Sequence, residues 1–195
     1  MRIVGGRFRG RALAAPDDET VRPTSDRVRE ALFNVLEHGI DDFDIRGARV
    51  LDLFAGTGAL GVEALSRGAA AVTFVENRAA SRALIQENIA AFGLGGIATI
   101  MRRDATDLGR ATRGASFSLV FADPPYGQGL ADQALTSAIA GGWLADGAIV
   151  VIEEAIASPI DWPSGCSAFD TRRYGQTQVS LARVIGADVP DPNST

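Results

Sequence analysis

Near the middle of the chain, Asp123-Pro124-Pro125-Tyr126 joins a carboxylate, two prolines and an aromatic ring directly behind an apolar run, Phe117-Ser118-Leu119-Val120-Phe121-Ala122. The prolines remove two backbone donors and restrict φ, so the turn is stiff. A stiff turn at the C-terminal edge of a buried strand lies where open α/β sheets bind ligands. Asp123 offers a hydrogen-bond acceptor and Tyr126 a flat face, at a set separation. Together they suit a planar ligand with an N–H edge, such as a nucleobase carrying an exocyclic amine.

A second group precedes it. Gly56-x-Gly58-x-x-Gly61 follows the short apolar run Val50-Leu51-Asp52-Leu53-Phe54 and opens a helical stretch, and Glu76 lies downstream where it can take ribose hydroxyls. This loop fits a nicotinamide dinucleotide or S-adenosylmethionine. Three features favour the second. Asp52 sits inside the strand before the loop, where a carboxylate attracts a cationic amino-acid moiety and repels a pyrophosphate. Phe54-Ala55-Gly56 is bulkier than a loop that closes on a pyrophosphate. Asp104 follows the third apolar run. On this reading Asp52, Glu76, Asp104 and Asp123 line one sheet edge and suit an ammonium, a ribose and an adenine amine.

The elements that must position these groups alternate. Strands are expected at 50–54, 71–75, 98–101, 117–122 and 148–152, the last ending in Glu153-Glu154. Helices are expected at 59–66, 80–92 and 132–139, each near a glycine. This alternation implies a mostly parallel sheet with helices on both faces. Residues 169–184 read as a hairpin turning at Gly175-Gln176-Thr177. Upstream, Arg22-Pro23-Thr24-Ser25-Asp26 reads as a helix start with Thr24 or Ser25 as cap. Val28, Ala31, Leu32, Val35 and Leu36 then recur at helical spacing, with Arg27, Arg29 and Glu30 on a solvated face. His38 closes that helix, where a cation suits the dipole. Residues 1–13 mix glycine and arginine as a short strand, a hairpin or an arm that orders on binding. The polar stretch 186–195 frays.

Composition sets outer bounds. The chain has 195 residues, is 46% hydrophobic and 22% charged, and carries a net charge of −5. One domain with a small appendage is expected. No apolar run reaches the ~18 residues of a membrane span. Met1-Arg2-Ile3-Val4-Gly5-Gly6 has no apolar signal region, so a cytoplasmic location is expected. One cysteine, Cys166, excludes an internal disulfide and a cysteine metal cluster, and one histidine, His38, leaves little for a metal site. All 19 basic residues are arginine. Arg2, Arg7, Arg9 and Arg11 fall within an acid-free N-terminal stretch, a local phosphate-contacting face on an acidic body.

The chain resembles a class I S-adenosylmethionine-dependent methyltransferase, and within that group the RsmD family of 16S rRNA guanine-N2 methyltransferases. Four segments carry the resemblance. They are Arg22-Pro23-Thr24-Ser25-Asp26-Arg27-Val28-Arg29-Glu30-Ala31-Leu32-Phe33-Asn34, Asp52-Leu53-Phe54-Ala55-Gly56-Thr57-Gly58, Glu63-Ala64-Leu65-Ser66-Arg67-Gly68-Ala69 and Asp123-Pro124-Pro125-Tyr126. The first is the most family-specific; the glycine loop and the proline turn occur across many amino-methyltransferases.

The resemblance implies a Rossmann-like, mostly parallel seven-stranded sheet with a C-terminal antiparallel hairpin and a small N-terminal strand and helix extension. It divides the chain into 1–46 (arm and helix packed on the core), 47–185 (methyltransferase domain) and 186–195 (flexible tail). It implies transfer of a methyl group from S-adenosylmethionine to the N2 amine of a guanine in 16S rRNA of the small ribosomal subunit, guanine 966 in the usual rRNA numbering. The substrate is then a folded ribosomal particle or assembly intermediate, and the enzyme a monomer without metal or membrane. Asp123, Pro124, Pro125 and Tyr126 would be catalytic. Asp52 with Phe54, Ala55, Gly56, Thr57 and Gly58 would hold the methionine part. Glu76 and Asn77 would hold the ribose, Asp104 and Ala105 would meet the adenine, and Asp123 would border the same pocket. Arg7, Arg9, Arg11, Arg22, Thr24 and Tyr126 would contact RNA. The alternatives are a DNA or RNA adenine-N6 methyltransferase, which shares the turn, and a nicotinamide-dependent oxidoreductase, which shares the glycine loop but leaves the turn unexplained.

Overall fold

Alternating apolar runs and glycine-punctuated amphipathic stretches build one sheet covered on both faces. The computed structural model describes residues 1–16 and 26–185. The expected cap at Thr24 or Ser25 and the tail 186–195 lie outside the described residues. In chain order the elements are α1 (Asp26–His38), β1 (Arg49–Leu53), α2 (Ala59–Ser66), β2 (Ala71–Val75), α3 (Ala79–Phe92), β3 (Ala98–Met101), β4 (Phe117–Ala122), α4 (Leu130–Ala140), β5 (Leu144–Ala155), β6 (Cys166–Tyr174) and β7 (Thr177–Val184). The seven-stranded sheet runs β3-β2-β1-β4-β5-β7-β6. The first five strands pair in parallel, and β7 is antiparallel to both β5 and β6. This is the expected sheet with its terminal hairpin.

Side chains alternate across the strands. Val50, Phe74, Leu119 and Phe121 face the cluster shared with α1, α2 and α3. Leu51, Leu53, Val75 and Val120 face the cluster shared with α4. β5 outruns its apolar core at both ends: Leu144 pairs with Phe117 of β4, and Glu153 and Glu154 continue the ladder opposite Val179 and Gln178 of β7. Among the described residues no helix is long and apolar enough to cross a membrane.

The N-terminal stretch forms a hairpin. Ile3 N–H donates to the Arg11 carbonyl at 3.0 Å, and Gly10 N–H to that of Ile3 at 2.8 Å. The hairpin docks on α2 through Val4 N–H, which donates to Glu63 Oε2 at 2.9 Å, and Phe8 N–H, which donates to Ser66 Oγ at 2.9 Å. Asn88 of α3 ties down the exit, accepting from Ala14 N–H at 2.8 Å and donating to the Thr57 carbonyl at 3.0 Å.

Of the α1 residues expected on a solvated face, Arg27 and Glu30 are exposed, and Arg29 is not. Arg29 is fully buried. It pairs with Asp26 at 2.7 Å, donates to the Arg2 carbonyl, and has Nε 3.6 Å from Glu63 Oε2. Arg67 reaches Glu63 Oε1 at 2.8 Å and Glu37 at 2.6 Å, over the Phe33 ring. The helix carries polar residues on two sides because one side faces a second charged layer, which local periodicity cannot distinguish from solvent.

Glu63 is the shared counter-charge of this layer. Breaking a buried ion pair by removing one partner costs roughly 3–5 kcal/mol. Glu63→Ala should therefore lower the unfolding free energy by about that amount, measured by urea denaturation. A loss within the range of an exposed pair, ~0–1 kcal/mol, would show that the layer contributes little.

Candidate active site

β1 ends at Leu53, which pairs with Val75 of β2 and Ala122 of β4. From β1 the chain crosses over to β2 on one side, while β4 flanks it on the other. The crevice beyond these ends is the topological switch point, where open α/β sheets bind ligands. The glycine loop leaves β1 and the proline turn leaves β4 at this crevice.

The loop begins with strain. Phe54 has φ of 57°, the left-handed region. For a bulky L-residue this costs roughly 1–2 kcal/mol and persists only where the surroundings demand it. Here they do. Ala55 N–H donates to the Val75 carbonyl at 3.1 Å. Gly56 N–H donates to Glu76 Oε2 at 2.9 Å. Gly58 starts α2 with φ of 77°, and Gly61 packs so closely that a Cβ there would stand 2.3 Å from the Phe74 ring. The last glycine of the fingerprint thus sets the helix-to-sheet spacing.

The predicted acids fall at the C-terminal ends of four neighbouring strands, β3, β2, β1 and β4, but at different depths. Asp52 is recessed within β1, opposite Phe74 and Phe121, and is buried. Its Oδ2 accepts from Gly61 N–H at 3.0 Å, satisfying one of the unpaired amides of the α2 N-terminus. Burial raises its pKa to about 8; the Gly61 hydrogen bond pulls it back, and the Glu76 charge raises it further. Glu76 follows β2 directly and is buried, its other oxygen accepting from Arg78 N–H at 2.8 Å. Asn77 is exposed, its carbonyl accepting from Arg82 at 2.6 Å. Asp104 lies beyond the end of β3 at Met101, in an exposed turn. Its Oδ1 accepts from Thr106 N–H at 2.9 Å and Thr106 Oγ at 2.8 Å, which holds the carboxyl below its ordinary pKa. Ala105 behind it is buried.

The proline turn follows β4 directly. Asp123 is half-buried, Pro124 buried, and Pro125 and Tyr126 exposed. Tyr126 Oη donates to Glu153 Oε1 at 2.9 Å and lies 3.5 Å from Thr177 Oγ. Burial lifts the phenol pKa, with the Glu153 and Asp123 charges adding to it and the Thr177 contact opposing, so Tyr126 stays protonated. Gly127 N–H donates to Glu154 Oε1 at 3.1 Å. Successive residues of a strand point to opposite faces, so Glu153 and Glu154 grip the turn from both sides of the sheet. Neither was assigned a role from sequence. Their signal is two acids closing an apolar strand, both buried.

Of the expected RNA contacts, Arg7 and Arg9 are exposed on the hairpin. Arg11 stacks over the Phe92 ring at 4.2 Å and donates to the Ala91 carbonyl at 2.6 Å, so much of its guanidinium is engaged by α3. Arg22 and Thr24 lie outside the described residues.

Over residues 1–183 the chain matches the protein family described as Conserved hypothetical protein 95. It is 42% identical over 168 residues to the Ribosomal RNA small subunit methyltransferase D of Escherichia coli strain K12, covering 83% of this chain and 81% of that one. The chain belongs to the RsmD family of methyltransferases. The solved Escherichia coli protein yhhF superposes with a TM-score of 0.80 at 36% identity, covering 95% of this chain and 98% of that one. The Thermus thermophilus 16S rRNA N2 G1207 methyltransferase RsmC, solved with AdoMet and guanosine, aligns with a TM-score of 0.65 at 25% identity, covering 86% of this chain and 44% of that one. The family resemblance and the class I methyltransferase fold read from the sequence both hold.

The raised Asp52 pKa carries a stability consequence. The folded state binds this proton more tightly than the unfolded chain does. The resulting stabilisation is complete below the ordinary aspartate pKa near 3.8 and is lost as pH rises through about 8. Asp52→Asn keeps an acceptor for Gly61 N–H and removes the titration. Its melting temperature should therefore fall less than that of wild type between about pH 5 and pH 9. Parallel melting curves for the two proteins would exclude a raised Asp52 pKa.

Proposed function

We propose that this chain transfers a methyl group from S-adenosylmethionine to the exocyclic N2 amine of a guanine in 16S rRNA of the small ribosomal subunit, guanine 966 in the usual rRNA numbering. One observation carries the reading. The Asp123–Tyr126 turn stands on the strand adjacent to the glycine loop, at the switch point, with its ring tethered to Glu153. The Escherichia coli relative, a small-subunit rRNA methyltransferase, supports the rRNA substrate, and the AdoMet and guanosine bound by RsmC support the cofactor and the base.

The residues fit the cofactor. Asp52 is a buried carboxyl whose ionised form is disfavoured where it stands. An ammonium beside it would restore the charge, which suits the methionine end. Phe54, Ala55, Gly56, Thr57 and Gly58 would line that end. Glu76 and Asn77 would take the ribose, and Asp104 with the Ala105 backbone the adenine. When bound, the cofactor supplies an electrophilic methyl on a sulfonium.

The chain's own residues prepare the amine. An aromatic amine is a poor nucleophile because its lone pair is delocalised into the ring. Asp123 and the Pro124 carbonyl would accept its two hydrogens and favour a pyramidal nitrogen, and Asp123 would stabilise the positive charge that develops there. Positioning and charge placement supply most of the gain. Tyr126, tethered through its hydroxyl, presents its ring to stack on the base. A guanine amine within a duplex is out of reach, so the base is flipped or sits in a loop. Exposed Arg7 and Arg9, with Arg22 and Thr24, would meet phosphates; Arg11 has the weaker claim given its contacts with α3. In this scheme 47–185 form the catalytic domain and 1–46 an extension packed on it.

Labelled methyl transfer to small subunits, with mapping of the modified nucleotide, tests the proposal. Product at a guanine N2 supports it, whereas product at an adenine N6 overturns the assigned base. Asp123→Ala should bind S-adenosylhomocysteine normally by calorimetry and lose transfer by roughly a hundredfold or more. Near wild-type transfer would remove Asp123 from the mechanism. Tyr126→Phe keeps the ring and should retain more activity than Tyr126→Ala; equal losses would argue against stacking.

A further inference from the structure

Beside the proline turn lies a cavity of about 350 Å3 that the proposed chemistry leaves unused. Its walls are the segment leaving β5, through Ile156, Ser158, Ile160 and Trp162, and the terminal hairpin, through Thr171 and Gln178. The volume falls in the ~300–1,000 Å3 range of ligand pockets.

The cavity adjoins the proline turn at Gly127. β4 and β5 run parallel, so the segment leaving β5 emerges at the same sheet edge as Asp123. A Cβ at Gly127 would stand 3.6 Å from Ser158 Oγ. Glu154, at the end of β5, accepts from Gly127 N–H.

Its wall is held in place. The Gln178 side-chain amide donates to the Ala155 carbonyl at 3.2 Å and the Ser158 carbonyl at 2.9 Å. Ile156 N–H donates to the Gln176 carbonyl at 3.0 Å, and Asp161 N–H to Asp132 Oδ2 at 3.3 Å.

The lining suits a planar heterocycle. Trp162, partly packed on the core, contributes an aromatic wall, Ser158 contributes a hydroxyl, and the Thr171 and Ser180 hydroxyls pair with each other at 3.0 Å on the hairpin side. Charge is uneven around the rim. Exposed Arg173 lies on β6 opposite Gln178, and Arg172 beside it pairs with Asp170 at 2.9 Å. Asp161 and Asp132 lie on the other side. A phosphate would therefore run along β6.

A base extracted from its stack leaves flanking nucleotides to be accommodated, and base-flipping enzymes read those neighbours. We propose that this cavity binds the nucleotide adjacent to the target in the RNA strand, its base against Trp162 and its phosphate toward Arg173; the inference rests on the methyl-transfer function proposed above.

Ala157→Trp fills the cavity from an exposed position, and Arg173→Ala removes the rim charge without touching the core. Steady-state methylation of small subunits is followed at saturating S-adenosylmethionine. Ala157→Trp should raise KM for the subunit roughly tenfold. Arg173→Ala should raise it severalfold and reduce the salt dependence of KM. In both variants kcat, S-adenosylhomocysteine affinity and melting temperature should stay near wild type. An active wild type beside two folded variants with unchanged KM overturns the inference alone, as does a loss confined to kcat. A wild type that transfers nothing to small subunits overturns the function on which it rests, and the inference with it.

Discussion

Leu53 pairs with Val75 on one side and with Ala122 on the other, and this double pairing at the end of β1 sets the geometry of the site. Parallel strands cannot be joined by tight turns, so each strand end must open into a loop that leads to a covering helix. Where two such loops leave adjacent strands toward opposite layers, they part and leave a crevice between them. Here those loops are the glycine loop and the proline turn. A slip of one residue between β1 and β4 would exchange the faces of every side chain and separate Asp123 from the loop.

The crevice is kept in shape by buried acids that bond to backbone. Glu76 holds Gly56 and Arg78 amides, Asp52 holds the Gly61 amide, and Glu154 holds the Gly127 and Ala155 amides. Burying a carboxylate is costly, and hydrogen bonds from amides offset part of that cost. In return, loop backbone that would otherwise sample several conformations is confined to one. The left-handed Phe54 is tolerated on the same terms, since the neighbouring Ala55 and Gly56 amides are both anchored to β2 and its end. A second set of buried charges, centred on Glu63, fastens the N-terminal hairpin and α1 to the opposite side of α2. Rigidity in the site therefore depends on polar pairing as much as on apolar packing.

Several of these features are legible in the sequence alone. The five parallel strands were visible as short apolar runs because strands covered on both faces do not alternate with polar residues. The stiff turn at Asp123 was visible because proline acts locally. The acids were harder to place. Asp104 looks like a strand-end carboxylate in the sequence, yet β3 stops at Met101 and the carboxyl closes a turn on Thr106. Arg29 shows the same limit in reverse. Arg27 and Glu30 face solvent as their positions suggest, but the hairpin and α2 cover Arg29, whose guanidinium finds Asp26 and Glu63.

The sequence by itself determined the order and type of the elements, the stiffness of the proline turn and the glycines that let α2 approach the sheet. These depend on interactions within a few residues, or on side chains that a strand or helix must bury whatever its neighbours. The tertiary structure decided which acids face the crevice, which are recessed beneath it, and which of the arginines are buried. It also decided that Glu153 and Glu154 hold the turn and that the segment beyond β5 walls a second cavity beside it. Those outcomes depend on strand order and register across pairs separated by tens of residues, and such long-range pairing leaves no local mark in the chain.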